Sequence, residues 1–247
     1  MSAYRSPSAA ALIIGSELLS GKTQDQNVLV LARSLRRLGV ELRRVLVVPD
    51  DLALVSAELR SLSASFDWVF TSGGIGPTHD DITIAAVAAA FDTSVEIEPS
   101  LARMIEAHFG DALLPGHLLM ARIPKGCDLI ASDELKWPTV RMRNVWVLPG
   151  VPDIFRERIA HVEQHFAAHT PFVTRSVFTK LDEGQLVPML DQVVLRFPSV
   201  SVGSYPKWKD PRWCTQLTFD GTDADAVDQA LEAFLGLIPE GEPVRVA

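Results

Sequence analysis

The sequence predicts an α/β protein: a mostly parallel sheet covered by helices on both faces, followed by a small βαββαβ unit. Continuous apolar runs such as Ala9–Ile14 mark strands buried on both sides, as in the core of a parallel sheet. Between such runs, apolar residues recur at helical spacing, as in Val28, Leu31, Leu35 and Leu38. Strand and helix alternate in this way up to a break at His169–Pro171. Beyond it the order becomes strand, helix, two strands, helix, strand, the split-βαβ or ferredoxin-like arrangement. Domains are therefore expected at residues 1–170 and 171–247.

Each element has its own signal. Ala9–Ile14 runs into a polar loop from Gly15 to Gln24. Asp25 is placed to cap the helix that follows, and Gly39 to end it. Val40–Val48 reads as the second strand. Leu52, Val55, Leu59 and Leu62 mark an amphipathic helix behind the Asp50-Asp51 pair. Asp67–Ser72 is a third strand and Ile82–Phe91 a third helix. Helical segments are expected over Leu101–Phe109 and Ala112–Ala121, then short strands at Cys127–Ala131, Thr139–Met142 and Val145–Leu148. Phe155, Ile159, Val162 and Phe166 form a helical stripe after Pro152, a residue suited to the first helical turn. In the second unit Val173–Lys180, Val200–Tyr205, Cys214–Phe219 and Pro243–Val246 read as strands. The stripes Leu186/Leu190/Val193/Phe197 and Val227/Leu231/Phe234/Ile238 read as helices.

Composition narrows the function. Nearly half the residues are apolar, so a sizeable core is buried. The formal charge of −8 is the wrong sign for a diffuse nucleic-acid binder, and the run Arg33, Arg36, Arg37, Arg43, Arg44 reads as a solvated surface. Cys127 and Cys214 lie far apart without metal-like spacing and are expected to be buried, reduced thiols. The apolar run at Ala9–Ile14 is too short for a membrane span or a signal segment, so a cytoplasmic protein is expected.

The informative segment is Thr71-Ser72-Gly73-Gly74-Ile75-Gly76-Pro77-Thr78-His79-Asp80-Asp81. A buried strand runs into a glycine-rich turn, and a helix begins at its far end. Such a turn lets backbone N–H groups approach an anion, with Thr71, Ser72 and Thr78 as hydroxyl donors. The same turn can serve as a tight connection alone, and Asp80 and Asp81 can serve as helix caps. Two carboxylates beside a phosphate repel it, and a hard cation bridging the two removes the conflict. The first loop adds Gly15, Ser16, Glu17, Lys22, Thr23, Asp25 and Asn27, and the loop Leu148-Pro149-Gly150-Val151-Pro152 follows another apolar strand. In an open parallel sheet all three loops share one edge, which places Glu17 across a cleft from Asp81.

These three loops resemble the MoaB/Mog (molybdopterin-binding-like) domain family, in the form of the N-terminal part of CinA and the corresponding domain of eukaryotic FAD synthases. Trp137-Pro138-Thr139-Val140-Arg141 with Arg143-Asn144-Val145, and Gly203-Ser204-Tyr205-Pro206, are similar to the FAD-synthase form. The resemblance implies a three-layer α/β domain with a pterin- or nucleotide-sized site. It implies an essential role for Asp81 acting with a divalent metal (Mg2+, Mn2+ or Co2+), and metal-dependent hydrolysis of FAD or ADP-ribose. In place of the Asn-Pro-Val-Gly-Thr-Ala-Pro-Gly loop usual in CinA stands Ser132–Arg143, a departure that bears on substrate preference. Neither the amidohydrolase of CinA nor the adenylylating domain of FAD synthases is expected of this chain.

The expected site therefore has Asp81 and Asp80 as catalytic carboxylates, with Asp81 and Glu17 on the metal. Thr71, Ser72, Gly73, Gly74, Gly76, Thr78, Gly15, Ser16, Asn27, Pro149 and Gly150 surround the phosphate or nucleotide. The leading function is a metal-dependent nucleotide pyrophosphatase. The alternatives are a molybdopterin- or nucleotide-binding module without turnover, and molybdopterin adenylylation in molybdenum-cofactor synthesis. Expected partners are a nucleotide or pterin phosphate and further copies of the chain, with no nucleic acid and no membrane. The second unit has no G-x-x-G loop, which leaves RNA binding unsupported. His161, His165 and His169 share one helix at metal-like spacing but read as a solvated face. His79 lies inside the glycine-rich loop, as proton donor, phosphate contact or rim residue. Tyr205–Trp213 mixes aromatic and basic residues, as a ring-stacking segment or a proline-bounded hairpin loop.

Overall fold

The computed structural model describes residues 6–131, 135–166, 170–207 and 212–247. The chain divides into two compact units, Met1–Ala168 and His169–Ala247.

In the first unit, β1 (Ser8–Ile14) leads through the short α1 (Ser16–Leu19) to α2 (Asn27–Arg37) and β2 (Glu41–Val48). Asp25 Oδ1 accepts the Val28 N–H at 2.9 Å, and Gly39 turns the chain at φ 69°. Then come α3 (Leu52–Ser65), β3 (Trp68–Ser72), α4 (Thr83–Ala90), β4 (Val95–Ile97), α5 (Pro99–Phe109), β5 (Arg122–Pro124), β6 (Asp128–Ile130), β7 (Thr139–Met142), β8 (Val145–Leu148) and α6 (Pro152–Glu163). The main sheet has the order β2-β1-β3-β8-β7-β6. β2, β1, β3 and β8 are mutually parallel, whereas β7 and β6 continue the sheet antiparallel.

The pleat explains the three layers. Ala10, Leu12 and Ile14 face one way and pack with Val55, Leu59 and Leu62 of α3 and Ala86, Val87 and Ala90 of α4. Ala9, Ala11 and Ile13 face the other way and pack with Leu31 and Leu35 of α2 and Phe155, Ile159 and Val162 of α6. All seven residues of β1 are buried, as a strand covered on both faces requires.

Several expectations need correction. Ala112–Ala121 is not a helix. Pro115 and Gly116 break it, and two 3-10 segments, Gly110–Ala112 and His117–Ala121, stand in its place. The His117 ring Nδ1 lies 3.1 Å from the Leu114 N–H and accepts it in place of a helical carbonyl. These segments, α5 and the antiparallel pair β4-β5 build an apolar subunit around Leu101, Ile105, Ala121 and Ile123. Cys214 is exposed and Cys127 half-buried, so neither is a core thiol. Burial and then the neighbouring Asp128 push the Cys127 thiol up to about 11. His161 is buried rather than solvated, because α6 turns it towards the sheet, while His165 stays exposed. His169 lies outside the described residues, as do Ser132, Asp133 and Glu134 and, in the aromatic–basic segment, Trp208 to Pro211.

In the second unit, β9 (Val173–Thr179), α7 (Glu183–Arg196), β10 (Ser201–Pro206), β11 (Thr215–Gly221), α8 (Ala224–Leu235) and β12 (Arg245–Val246) form a sheet of order β10-β11-β9-β12. Every pairing is antiparallel. The order of elements and strands is that of the split-βαβ fold. A capping box starts α7: Gln185 N–H donates to Asp182 Oδ1 at 3.0 Å and Asp182 N–H to Gln185 Oε1 at 3.1 Å. Among the described residues, no helix is long and apolar enough to cross a membrane.

Leu12 is fully buried at the centre of the main sheet, paired with Leu46 and Thr71. Leu12→Ala should destabilise the first unit by about 2–5 kcal/mol, read as a lower denaturant midpoint at unchanged slope. A loss well below 1 kcal/mol would contradict the layer assignment.

Candidate functional site

The chain passes from β1 to β2 on one side of β1 and returns to β3 and β8 on the other. That reversal opens a crevice at the carboxyl ends of β1 and β3, where ligands of open α/β sheets sit. A cavity of about 1190 Å³ occupies this edge. It exceeds the ~300–1,000 Å³ usual for small-molecule sites, so a dinucleotide-sized ligand has room.

Asn27 ties the edge together. It is 3% exposed at the start of α2, and its amide spends both hydrogens on neighbouring loops. Nδ2 donates to Ser72 Oγ at 2.9 Å, at the end of β3, and to the Gly150 carbonyl at 2.8 Å, after β8. Ser72 Oγ passes its own hydrogen to the Pro149 carbonyl at 3.3 Å. The first loop is anchored separately: Ser16 N–H donates to Asp50 Oδ2 at 2.9 Å and Asp50 N–H to Ser16 Oγ at 3.3 Å.

Close approach makes glycine necessary at Gly73. It has φ 102°, and a Cβ there would lie 2.3 Å from the Ile14 carbonyl oxygen. A Cβ on Gly150 would meet Gly73 Cα at 3.1 Å. The glycine turn is closed from behind by Thr83, whose Oγ1 donates to the Gly73 carbonyl at 2.8 Å and whose N–H donates to the Gly74 carbonyl at 2.9 Å. The N–H groups of Gly74, Ile75 and Gly76 have no protein acceptor among the described residues, and all three residues line the cavity. Successive free backbone N–H groups on a turn are the kind of donor set that can bind an anion.

The two aspartates do not cap α4. Its N-cap is Ile82, with no side-chain cap. Asp81 instead turns back over the loop. Its Oδ2 accepts the Thr78 N–H at 2.8 Å and approaches Thr78 Oγ1 to 2.5 Å, against Gly76. Asp80 Oδ1 also lies 2.5 Å from Thr78 Oγ1. A hydroxyl has one hydrogen, so one carboxylate oxygen faces an oxygen lone pair. Two carboxylates thus share a single hydroxyl beside the glycine turn. The hydrogen bond from Thr78, then Asp80's own N–H, holds the Asp80 carboxyl below its ordinary range, and His79 adds a smaller pull at 3.9 Å. His79 itself is 98% exposed, a rim position.

Of the residues expected at the site, Asp80, Asp81, Glu17, Gly15, Asn27, Ser72, Gly73, Gly74, Gly76, Thr78, Pro149 and Gly150 all line this one cavity. Thr71 is fully buried behind it, with Oγ1 3.4 Å from the Leu148 N–H, and Ser16 is turned to Asp50. Glu17 folds over Gly15, its Oε1 2.6 Å from where a Cβ would stand. Among the described residues, no group of three or more His, Cys, Asp or Glu side chains is gathered to hold a metal. Asp50, Trp137 and Arg158 also line the cavity and were not among the residues expected at the site. Asp50 carries a signal, because it ends a parallel strand at the ligand edge. The other two reach the cavity through tertiary contacts.

Comparison with known proteins places this geometry among relatives. The family model "Probable molybdopterin binding domain" matches residues 10–169, and "FAD synthase, middle domain" matches residues 171–247. The chain is 29% identical over 261 residues to a probable FAD synthase of Caenorhabditis elegans, covering 93% of this chain and 50% of the relative. It is 40% identical over 152 residues to a CinA-like protein of Anaeromyxobacter sp. strain Fw109-5, covering 59% and 37% respectively. The chain thus spans about half the length or less of these curated relatives. The crystal structure of CinA from Thermoplasma acidophilum, described as of unknown function, superposes with a TM-score of 0.60 at 30% identity, over 66% of this chain and 99% of that one.

Asn27→Ala leaves Ser72 and Gly150 without their donor and should cost about 1–3 kcal/mol in chemical denaturation. Asn27→Asp should cost at least as much, because a carboxylate oxygen then faces the Gly150 carbonyl. Wild-type stability in both variants would show that the loops are held by something else. Thr78→Val should raise the Asp80 pKa towards the ordinary carboxylate value, measured by carboxyl NMR titration. The sign follows from the folded-state shift: Thr78 favours ionised Asp80, so its contribution is present above the unfolded pKa and fades as pH falls through the folded one.

Proposed function

The chain belongs to the family of the probable molybdopterin binding domain, and on that premise we propose that it hydrolyses the phosphoanhydride of a diphosphate-linked nucleotide, such as FAD or ADP-ribose, with a divalent metal. The observation that carries the proposal is the placement of Asp80 and Asp81 on one hydroxyl beside the unpaired N–H groups of Gly74, Ile75 and Gly76. Carboxylates so crowded fit a cation. Mg2+ is commonly held by one or two carboxylates with the substrate's phosphates completing the shell, so a ready-made cage is not required. Relatives named as probable FAD synthase and CinA-like protein support a nucleotide ligand.

Asp81 and Asp80 would hold the metal, with Glu17 on the adjoining loop. Mg2+, Mn2+ or Co2+ bound there supplies Lewis-acid polarisation of the phosphoryl group and a water of lowered pKa. The chain's own part is positioning. The nest N–H groups take the non-bridging oxygens and stabilise the charge that grows on them as water adds to phosphorus. The bridging oxygen leaves with the second phosphate, giving AMP from FAD or ADP-ribose. Thr78 holds both carboxylates beside the glycine turn. A second reading is a binding module without turnover, favoured by the lack of a gathered three-ligand cluster among the described residues. That reading expects saturable binding and unchanged ligand on recovery, for a nucleotide or a pterin phosphate alike.

Incubation with FAD or ADP-ribose and Mg2+, Mn2+ or Co2+ should release AMP. Asp81→Asn should lower that rate by orders of magnitude at an unchanged melting temperature, since an amide oxygen can still accept the Thr78 N–H. Metal-free nucleotide affinity should hold or rise, because a repulsive charge is gone. Full activity in Asp81→Asn would sink the metal assignment, and no AMP release by folded wild type with any of the three metals would favour the binding module.

A further inference from the structure

Arg158 is a buried cation that the hydrolytic reading leaves unused. It lies on α6 and is 8% exposed, flanked by the apolar stripe of Phe155, Ile159 and Val162. Its Nη1 donates to the Trp137 carbonyl and lies 3.5 Å from Thr139 Oγ1, at the start of β7. Both partners are neutral, and among the described residues no carboxylate lies within salt-bridge distance. Glu157, the preceding residue on the helix, is exposed and exerts the smaller, opposing pull. Burial therefore draws the guanidinium below its ordinary pKa.

A guanidinium in that position costs stability unless it is paired, and an apolar side chain of the same size would pack at least as well. Its other nitrogens, Nε and Nη2, have no acceptor among the described residues and are not sealed from solvent. Arg158 lines the cavity, and these two nitrogens are the donors it has left to offer a ligand there. The surrounding charge is opposite in sign: Glu17, Asp25, Asp50, Asp80 and Asp81 line the same cavity from the first, second and third strand ends. Arg158 stands apart from them, one strand further on. Thr139 opens β7 next to the end of β8, so the guanidinium lies beyond the Pro149–Gly150 loop as seen from the glycine turn. A phosphate seated on the nest of Gly74–Gly76 leaves this cation free for a separate group. The fork of a guanidinium matches a phosphoryl oxyanion through two parallel hydrogen bonds.

We propose that Arg158 receives a second phosphoryl oxyanion of the ligand, beyond the one on the glycine turn, so that the cavity selects diphosphates over monophosphates. The proposal rests on the reading of the cavity as a nucleotide phosphate site and is independent of turnover.

Calorimetric titration of the full chain with ADP and with AMP, in chelator and without metal, separates the two. Wild type should bind ADP clearly more tightly than AMP. Arg158→Gln should lower ADP affinity about ten- to hundredfold, the scale of one charge-assisted hydrogen bond, and leave AMP affinity within about twofold. Arg158→Lys keeps the charge and the packed stem but loses the fork. It should fall between wild type and the Gln variant, and it decides the matter if Arg158→Gln does not fold. Equal affinity of wild type for ADP and AMP overturns the proposal, as does wild-type ADP affinity in a folded variant. If ADP binding depends on Arg158 while no metal yields AMP from ADP-ribose, hydrolysis fails and the receptor stands. If hydrolysis proceeds and the Arg158 variants bind ADP normally, the receptor fails and hydrolysis stands.

Discussion

The junction of β3 and β8 at the ligand edge depends on one side-chain amide. Parallel strands end in loops that have no regular partner for their backbone groups, and three such loops meet beside α2. Asn27 supplies the donors that they lack, one hydrogen to the end of β3 and one to the turn after β8. Its burial makes those bonds hard to exchange for water, so the loops are held in register instead of fraying apart. An aspartate at this position would present acceptors to acceptors, and a serine would be too short to reach both.

Once the loops are held together, the spacing between them dictates the rest. Gly73 passes so close to Ile14 and to Gly150 that a side chain on it is excluded, which leaves backbone N–H groups as the chemistry at the crevice. Thr83 locks the turn from within the protein, so its backbone geometry is fixed in the structure without a ligand. Preorganised donors need no reorientation when negative charge appears, which is the electrostatic advantage such a site offers. The charges around it are segregated. Carboxylates gather beside the glycine turn, where Thr78 restrains two of them, and a buried guanidinium lines the same cavity from α6. On the proposed function, a diphosphate with a cation beside the aspartates would compensate both sets of charges.

Much of this was legible in the sequence, for reasons that differ by element. β1, β3 and β8 announce themselves because strands buried on both faces must be continuously apolar, and α2, α3 and α6 because they bury one stripe. The glycine turn with its aspartates could be read because strand, turn and helix follow within a few residues. What escaped depends on contacts distant in sequence. The pair β4-β5 joins three-residue segments whose partners are separated by α5, and no periodicity of that length is distinctive. Ala112–Ala121 is rich in apolar residues, but Pro115 and Gly116 in its middle break the helix expected there. Cys214 lies just before β11, where the hairpin leaves it open to solvent, and His161 is covered because α6 packs with that side inward. Arg158 looks like one more surface arginine until β7 is placed beside α6.

The central claim is that phosphate and metal meet at the Asp80–Asp81 end of the glycine turn. A crystal structure with ADP-ribose and Mn2+, with anomalous differences collected at the manganese edge, tests it most directly. The expected result is one strong anomalous peak bonded to Asp81 or Asp80 and to a phosphate oxygen, with that phosphate on the N–H groups of Gly74 to Gly76. A nucleotide seated elsewhere in the cavity, or manganese bound away from both aspartates, would contradict it.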